Sequence, residues 1–272
     1  MPALLAAVAA SFVFHAPLEL VLLLVILALG VAERFYPAND GWKYQFGTVL
    51  GWAGFFRDVF YLLIITQLTA LLIAAAAYGL RKLDGGFDLG IRLWPLGAPL
   101  AVRVVLAFFL VELFSYWFHR ACHRVPLLWQ FHSTHHVITE LTGLKSLRTH
   151  PVDNVLFHVA RAVPLLLLGA GPAELLAATY FGSILGILAH SNIDVADGFL
   201  GVVVNYPRFH TVHHSSALAE SNANFGCHTV LWDRVFRTFR RETLAPLVLG
   251  VAPVRTRSLW EELVWPFYRR VS

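Results

Sequence analysis

Charge is scarce in this chain of 272 residues: Asp, Glu, Lys and Arg together make up 14%, against roughly 25% in soluble proteins. With 57% hydrophobic residues, that scarcity excludes an ordinary water-soluble domain and points to a chain that lives in a bilayer. Cysteine is nearly absent. Cys122 and Cys227 form no Cys-x-x-Cys pair, which excludes a disulfide framework, cysteine-linked haem and a cysteine-ligated iron–sulfur cluster. Both read as reduced thiols. Glycine-rich dinucleotide fingerprints are missing too, since Gly85-Gly86 and the Gly169–Gly171 stretch lie in the wrong context. No Lys or Arg precedes Arg34, which argues against a cleaved signal peptide. The net charge of +4 is modest, and no basic-and-aromatic pattern suits nucleic acid.

Long apolar runs fill the space that charge vacates. Residues 1–15 are apolar but too short to cross, and either lie along the interface or extend the first span. That span runs from about His15 to Ala32 and ends at Glu33-Arg34 before Pro37. Trp42, Lys43 and Tyr44 follow as interfacial anchors. A second run from about Val59 to Leu80 is long enough to cross about 30 Å of hydrocarbon, and a third, Pro99 to Phe118, leads directly into His119. Two shorter runs, Val155–Leu168 and Pro172–Ala189, are broken at Gly169-Ala170-Gly171-Pro172. They read as a hairpin that enters the membrane and returns His190 to the side it left. The tail, Arg255 to Ser272, reads as an amphipathic interfacial segment.

Histidine is the residue in excess. Five of the thirteen stand in His119–His136, which reads HRACHRVPLLWQFHSTHH. His119 and His123 are four apart, and His132, His135 and His136 follow an i, i+3, i+4 pattern. FHTVHH repeats that pattern with His210, His213 and His214. On helices these spacings bring imidazoles to one face. With His190 the candidate metal set is His119, His123, His132, His135, His136, His190, His210, His213 and His214. One metal rarely takes more than six ligands, so nine imidazoles imply two metals. Imidazole alone does not name the metal. Glu112 lies inside the third span, seven residues before His119 on nearly the same face. An ionisable group there is expensive and usually functional. It reads as accepting a hydrogen bond from a ligand imidazole; the structural alternative is an ion pair with Arg103.

HRACH, HSTHH and HTVHH, in that order against membrane spans, resemble the fatty acid hydroxylase/sterol desaturase superfamily of membrane di-iron enzymes. The likeness extends to Glu112, Tyr116-Trp117-Phe118-His119-Arg120, Leu128-Trp129-Gln130-Phe131-His132, Arg148-Thr149-His150-Pro151, His190-Ser191-Asn192 and Tyr206-Pro207. It closes with Asn224-Phe225-Gly226 and Trp232-Asp233-Arg234-Val235-Phe236, and covers about residues 100–240. Phe225 replaces the more usual Tyr, and Arg237 a usual Gly. The resemblance implies a single domain over 1–272: an all-α integral membrane bundle of about four spans or hairpins with a cytosolic histidine-rich helical cap. It further implies two Fe ions, which zinc can replace in purified protein, with O2 as co-substrate. The expected reaction is hydroxylation of a sterol, fatty acyl or related lipid, with desaturation at the same site as the alternative. His150 is read as a hydrogen-bonding group near the metals, and Asn192 and Asp194 as residues orienting a ligand or a metal-bound water. His228 is either a further ligand, a group behind one, or structural.

Electrons must come from outside, from a ferredoxin or a cytochrome b5-like donor. Arg120, Arg124, Arg237, Arg240 and Arg241 are either its docking surface or solvated charges. The excess of Arg and Lys around the histidines places that side in the cytoplasm by the positive-inside rule, against Arg81, Lys82 and Arg92 opposite. A histidine-rich membrane metal transporter would need ionisable residues through several spans, and bis-histidine haem binding would need paired histidines within facing spans. Neither pattern is present.

Overall fold

The structure, a computed structural model, describes residues 18–68, 71, 93–196, 198–243, 247–251 and 258–268. It is helical, and the described residues form no strand beyond isolated bridges. The long helices are α1 (Leu18–Phe35), α2 (Val49–Phe60, continued through a π-helical turn over Tyr61–Ile65), α3 (Leu100–Cys122), α5 (Pro151–Leu168) and α6 (Pro172–His190). Between α3 and α5 lie α4 (Pro126–His136) and a 3-10 turn (Gly143–Leu147). Short helices follow: α7 (Pro207–His213), α8 (Leu218–Ser221), α9 (Leu231–Val235) and α10 (Leu259–Tyr268). Four segments are long and apolar enough to cross a bilayer: Val49–Leu68, Leu100–Cys122, Pro151–Leu168 and Pro172–His190. This is a membrane protein.

Helices α3, α5 and α6 carry the core. Proline at the first helical turn of α5 and of α6 costs no hydrogen bond there and presets the backbone. Gly169 closes α5 at φ 91°, a left-handed position that only glycine takes without strain. The chain turns at once into α6, as the hairpin reading requires. At that end the Trp94 amide donates to the Leu168 carbonyl at 2.8 Å, and Arg103 pairs with Glu174 at 2.6 Å. Arg103 therefore belongs to Glu174 and lies far from Glu112. Midway along the helices, Phe108 meets Phe181 edge-to-face at 4.9 Å among Val111, Leu165 and Leu185. The opposite ends of α3 and α6 carry His119 and His190, so all three helices deliver histidine or its neighbours to one end of the bundle.

Two expected boundaries move. The second span begins at Val49, ten residues before Val59, because Thr48 caps it by accepting from the Gly51 amide at 3.1 Å. Its expected far half, from Leu72 to Leu80, lies outside the described residues, as do residues 1–17 and, in the tail, 255–257 and 269–272. α1 ends at Phe35 rather than Ala32. Glu33 is buried there and accepts from the Gly143 amide at 2.7 Å and the Asn192 amide at 2.9 Å. That carboxylate ties α1 to the histidine end.

Candidate metal centre

Helix geometry sorts the imidazoles. In α4, His132 and His136 are one turn apart and share a face, while His135 points to its side. In α7 the roles reverse: His210 and His214 share a face, and His213 turns away. The result is two groups. His119, His123, His132, His136 and His213 bring one nitrogen each to within 4.8 Å of one another, and so do His135, His190, His210 and His214. The nine expected residues are therefore brought together from α3, α4, α6 and α7. His136 and His214 stack at 4.6 Å where the groups meet. All but His123 are buried.

The outer ring nitrogens are tied down. His119 Nδ1 donates to the Phe225 carbonyl at 2.7 Å and His213 Nδ1 to the Ala223 carbonyl at 2.8 Å. His190 Nδ1 donates to Gly186 at 2.8 Å and His135 Nδ1 to Arg148 at 3.3 Å. His132 Nδ1 meets Asp153 Oδ2 at 3.0 Å. A carbonyl only accepts, so each of those Nδ1 atoms carries the proton and each Nε2 is left with a bare lone pair. Yet His119 Nε2 faces His213 Nε2 at 3.0 Å, and His135 Nε2 faces His190 Nε2 at 3.0 Å. Two lone pairs at that distance repel unless a cation lies between them. Ligands about 2.1 Å from one ion and at right angles to each other are about 3.0 Å apart. His210 and His190 at 2.9 Å, and His214 and His210 at 3.1 Å, repeat the spacing. His132 Nε2 is buried inside the first group with no partner. The donor set fits transition-metal ions of the iron or zinc type.

Protonation agrees. Burial pushes the His135 imidazole down to about 4 and that of His213 to about 3, from an ordinary 6.5. Burial likewise holds His123, His136, His210 and His214 well below it. All are neutral at physiological pH, the state that binds metal. Unfolding exposes them to protons near pH 6.5, whereas the folded groups resist to lower pH. Metal-free protein should therefore keep full stability above about pH 6.5 and lose it progressively as the pH falls towards about 4. Thermal unfolding in detergent checks this, and a midpoint unchanged across that range would contradict it.

Residues 104–238 match the fatty acid hydroxylase family, a stretch that holds all nine imidazoles. The chain belongs to the fatty acid hydroxylase/sterol desaturase superfamily. It is 28% identical to the ornithine lipid hydroxylase OlsE of Rhizobium tropici, over 99% of this chain and 83% of that protein. It is 29% identical to an alkylglycerol monooxygenase of Danio rerio, over 60% of this chain and 36% of that one. A Delta(7)-sterol 5(6)-desaturase, erg3B of Aspergillus fumigatus, is 28% identical over 65% of this chain and 50% of its own length. No solved structure matches.

The superfamily's closing motif, Asn224 to Phe236, has a physical role here. The Phe225 carbonyl within it and the Ala223 carbonyl just before it orient His119 and His213. Asp233 holds that backbone by accepting from the Phe225 amide at 2.8 Å and the Gly226 amide at 2.7 Å. A side chain at position 226 would place its Cβ 1.8 Å from the Thr229 carbonyl oxygen, so only glycine fits. Asn224 completes the clamp, donating to the Phe209 carbonyl of α7 at 2.8 Å.

Four expected roles need correction. Glu112 accepts from no metal-group imidazole. It takes His228 Nδ1 together with the backbone amides of His228 at 3.1 Å and Thr229 at 2.8 Å. A carboxylate suits three donors, and it fixes the same loop from the other side. Glu112→Gln should cost about 1–3 kcal/mol of stability by turning an amide N–H toward those donors; an unchanged unfolding midpoint would contradict this. His150 has both nitrogens engaged, Nδ1 capping α5 at the Val152 amide (3.1 Å) and Nε2 donating to the Leu263 carbonyl (3.0 Å). Its role is to fasten α10. Asn192 is spent on Asn39, accepting from its amide at 2.9 Å and donating to its carbonyl at 2.8 Å. Asp194 is exposed. Asp153 is the residue that orients His132; its place in the first turn of α5, beside His150-Pro151, is the sequence signal for that role.

Proposed function

We propose that this protein is a membrane di-iron oxygenase that hydroxylates a C–H bond of a lipid with O2 and external electrons. The nine imidazoles are the ligands, in a five-plus-four arrangement. The observation that carries this is the facing pair of bare nitrogens, His119 with His213 and His135 with His190 at 3.0 Å. Two bound irons would supply reductive activation of O2. The chain's own residues orient the imidazoles through fixed carbonyls, keep them neutral by burial, and exclude water from a reactive centre. Fewer than six imidazoles in each group leaves positions for exogenous ligands.

An apolar cleft of about 520 Å³ between α1 and α2 supports a lipid substrate, being in the range of pockets that hold such molecules. Leu27, Val31, Phe55 and Leu62 line it, and it reaches Ile187, one turn before His190. Similarity to an ornithine lipid hydroxylase over nearly the whole chain favours hydroxylation and makes an amino-acid-headed lipid the first substrate to try. The excess of arginine around the histidines supports a cytoplasmic metal side.

The test is expression with candidate lipids and a reductant system under labelled O2, followed by mass spectrometry. One labelled oxygen in the lipid is the expected result. Loss of two hydrogens with no oxygen gained identifies a desaturase in its place, and no change in any lipid would overturn the assignment.

A further inference from the structure

The five-histidine group comes closest to the surface at His123, beside packed aromatic rings. His123, the half-buried member of the site, is followed by the exposed Arg124. Its ring lies 5.3 Å from Phe225, which also packs on His119 and His213 at 5.9 Å each. Phe225 meets Tyr116 at 6.0 Å, and Tyr116 meets Trp117 at 5.5 Å. Phe236 stacks on Tyr116 at 5.2 Å and packs on Trp117 at 4.9 Å. Trp117 is 46% exposed. A continuous run of packed rings therefore joins the surface to the buried imidazoles.

Arginine is abundant in the segments beside that outlet. Arg120 lies over the Trp117 ring at 5.2 Å and donates to the Tyr116 hydroxyl at 3.1 Å. Arg237 follows Phe236, and its neighbour Thr238 meets the Tyr116 hydroxyl at 3.0 Å. Arg240 is held nearby through its backbone contacts with Asn224. None of Arg120, Arg124, Arg237 and Arg240 forms an ion pair among the described residues. In these two segments Glu112 and Asp233 are buried and Glu242 is exposed, so the face is strongly positive. Arg237 also stands at φ 59°, in the left-handed region where glycine would sit without strain.

We propose that Arg120, Arg124, Arg237 and Arg240 form the docking surface for an acidic one-electron carrier protein, with electrons entering at Trp117 and passing through Tyr116 and Phe225 to the five-histidine group. This rests on the oxygenase reading, which needs a reductant. Hydroxylating one C–H bond with O2 takes two electrons and two protons. One oxygen atom enters the C–OH group and the other leaves as water. Two reduced carriers each give one electron and depart oxidised, and the protons come from solvent. Complementary charge sets the rate and register of such encounters.

The test uses the full chain in detergent with two probes, a plant-type [2Fe–2S] ferredoxin and the soluble domain of a cytochrome b5. Binding of at least one probe should weaken as salt rises. Arg124→Glu combined with Arg237→Gly should weaken it about tenfold, as expected for two exposed charge pairs at the upper end of their strength. The glycine relieves the backbone at 237, so this variant should fold at least as well as the parent. Trp117→Leu should bind normally but slow carrier-driven reduction of the iron in stopped-flow measurements. Dithionite reduction and iron content report separately on the metal centre and should be unchanged in the arginine variant. Unaltered carrier binding in that variant, or salt-independent binding in the parent, would overturn the proposal. So would failure of both probes to bind, including the case where the face instead adsorbs vesicles of anionic phosphatidylglycerol.

Discussion

His135→Ala should abolish lipid oxidation and release about half of the bound metal, because it removes one of only four donors from its group. The remaining His190, His210 and His214 keep their nitrogens within 2.9–3.3 Å of one another, but three imidazoles hold a divalent ion more weakly than four. The five-histidine group loses no donor and should keep its ion. Metal analysis and product detection on the same preparation check both halves of the expectation. His150→Ala is the matched contrast. It loses a helix cap, which costs about 1 kcal/mol, and should keep its metal. Full turnover in the His135 variant would remove His135 from the site.

The second large effect lies away from the metals. Glu262 on α10 is fully buried and gathers three partners from distant parts of the chain. Arg148 reaches it through two hydrogen bonds, Tyr61 donates to it at 2.9 Å, and Arg57 lies at 3.3 Å. Among the described residues, Glu262→Ala would leave the buried Arg148 side chain with only Asp58, at 4.0 Å. Stranding a buried charge in this way costs about 3–5 kcal/mol. A fall of that size in unfolding free energy, followed by thermal denaturation in detergent, is the expected result; a change under about 0.5 kcal/mol would contradict it. Since the Arg148 carbonyl also holds His135 Nδ1, metal retention should fall with stability.

These two cases mark what the sequence could and could not tell. The histidine spacings were legible because helical period converts i, i+3 and i+4 directly into faces, and the apolar runs set the depth at which each face ends. The α5–α6 hairpin was legible for a similar reason, since Gly169 and Pro172 allow little else between two apolar helices. Contacts between segments far apart in sequence were not legible. Glu262 sits in a tail whose pattern reads as interfacial, and nothing local announces Arg57, Tyr61 and Arg148 as its partners. Glu112 is legible as a carboxylate inside a span that needs a partner, but the partner is a loop over a hundred residues later. His150, Asn192 and Asp194 stand beside metal-site motifs in sequence, and adjacency suggested a shared role. In three dimensions His150 caps a helix, Asn192 binds the loop after α1, and Asp194 faces outward. Their chemistry suits ligation; their surroundings do not use it.

The central claim is that imidazoles from four separate helical segments enclose two transition-metal ions. Metal analysis of the purified full-length protein, counting iron and zinc together per chain, tests it most directly. The account predicts two ions per chain, each in a nitrogen-rich shell by X-ray absorption. Active protein holding fewer than one ion per chain, or ions in a shell dominated by oxygen, would contradict it.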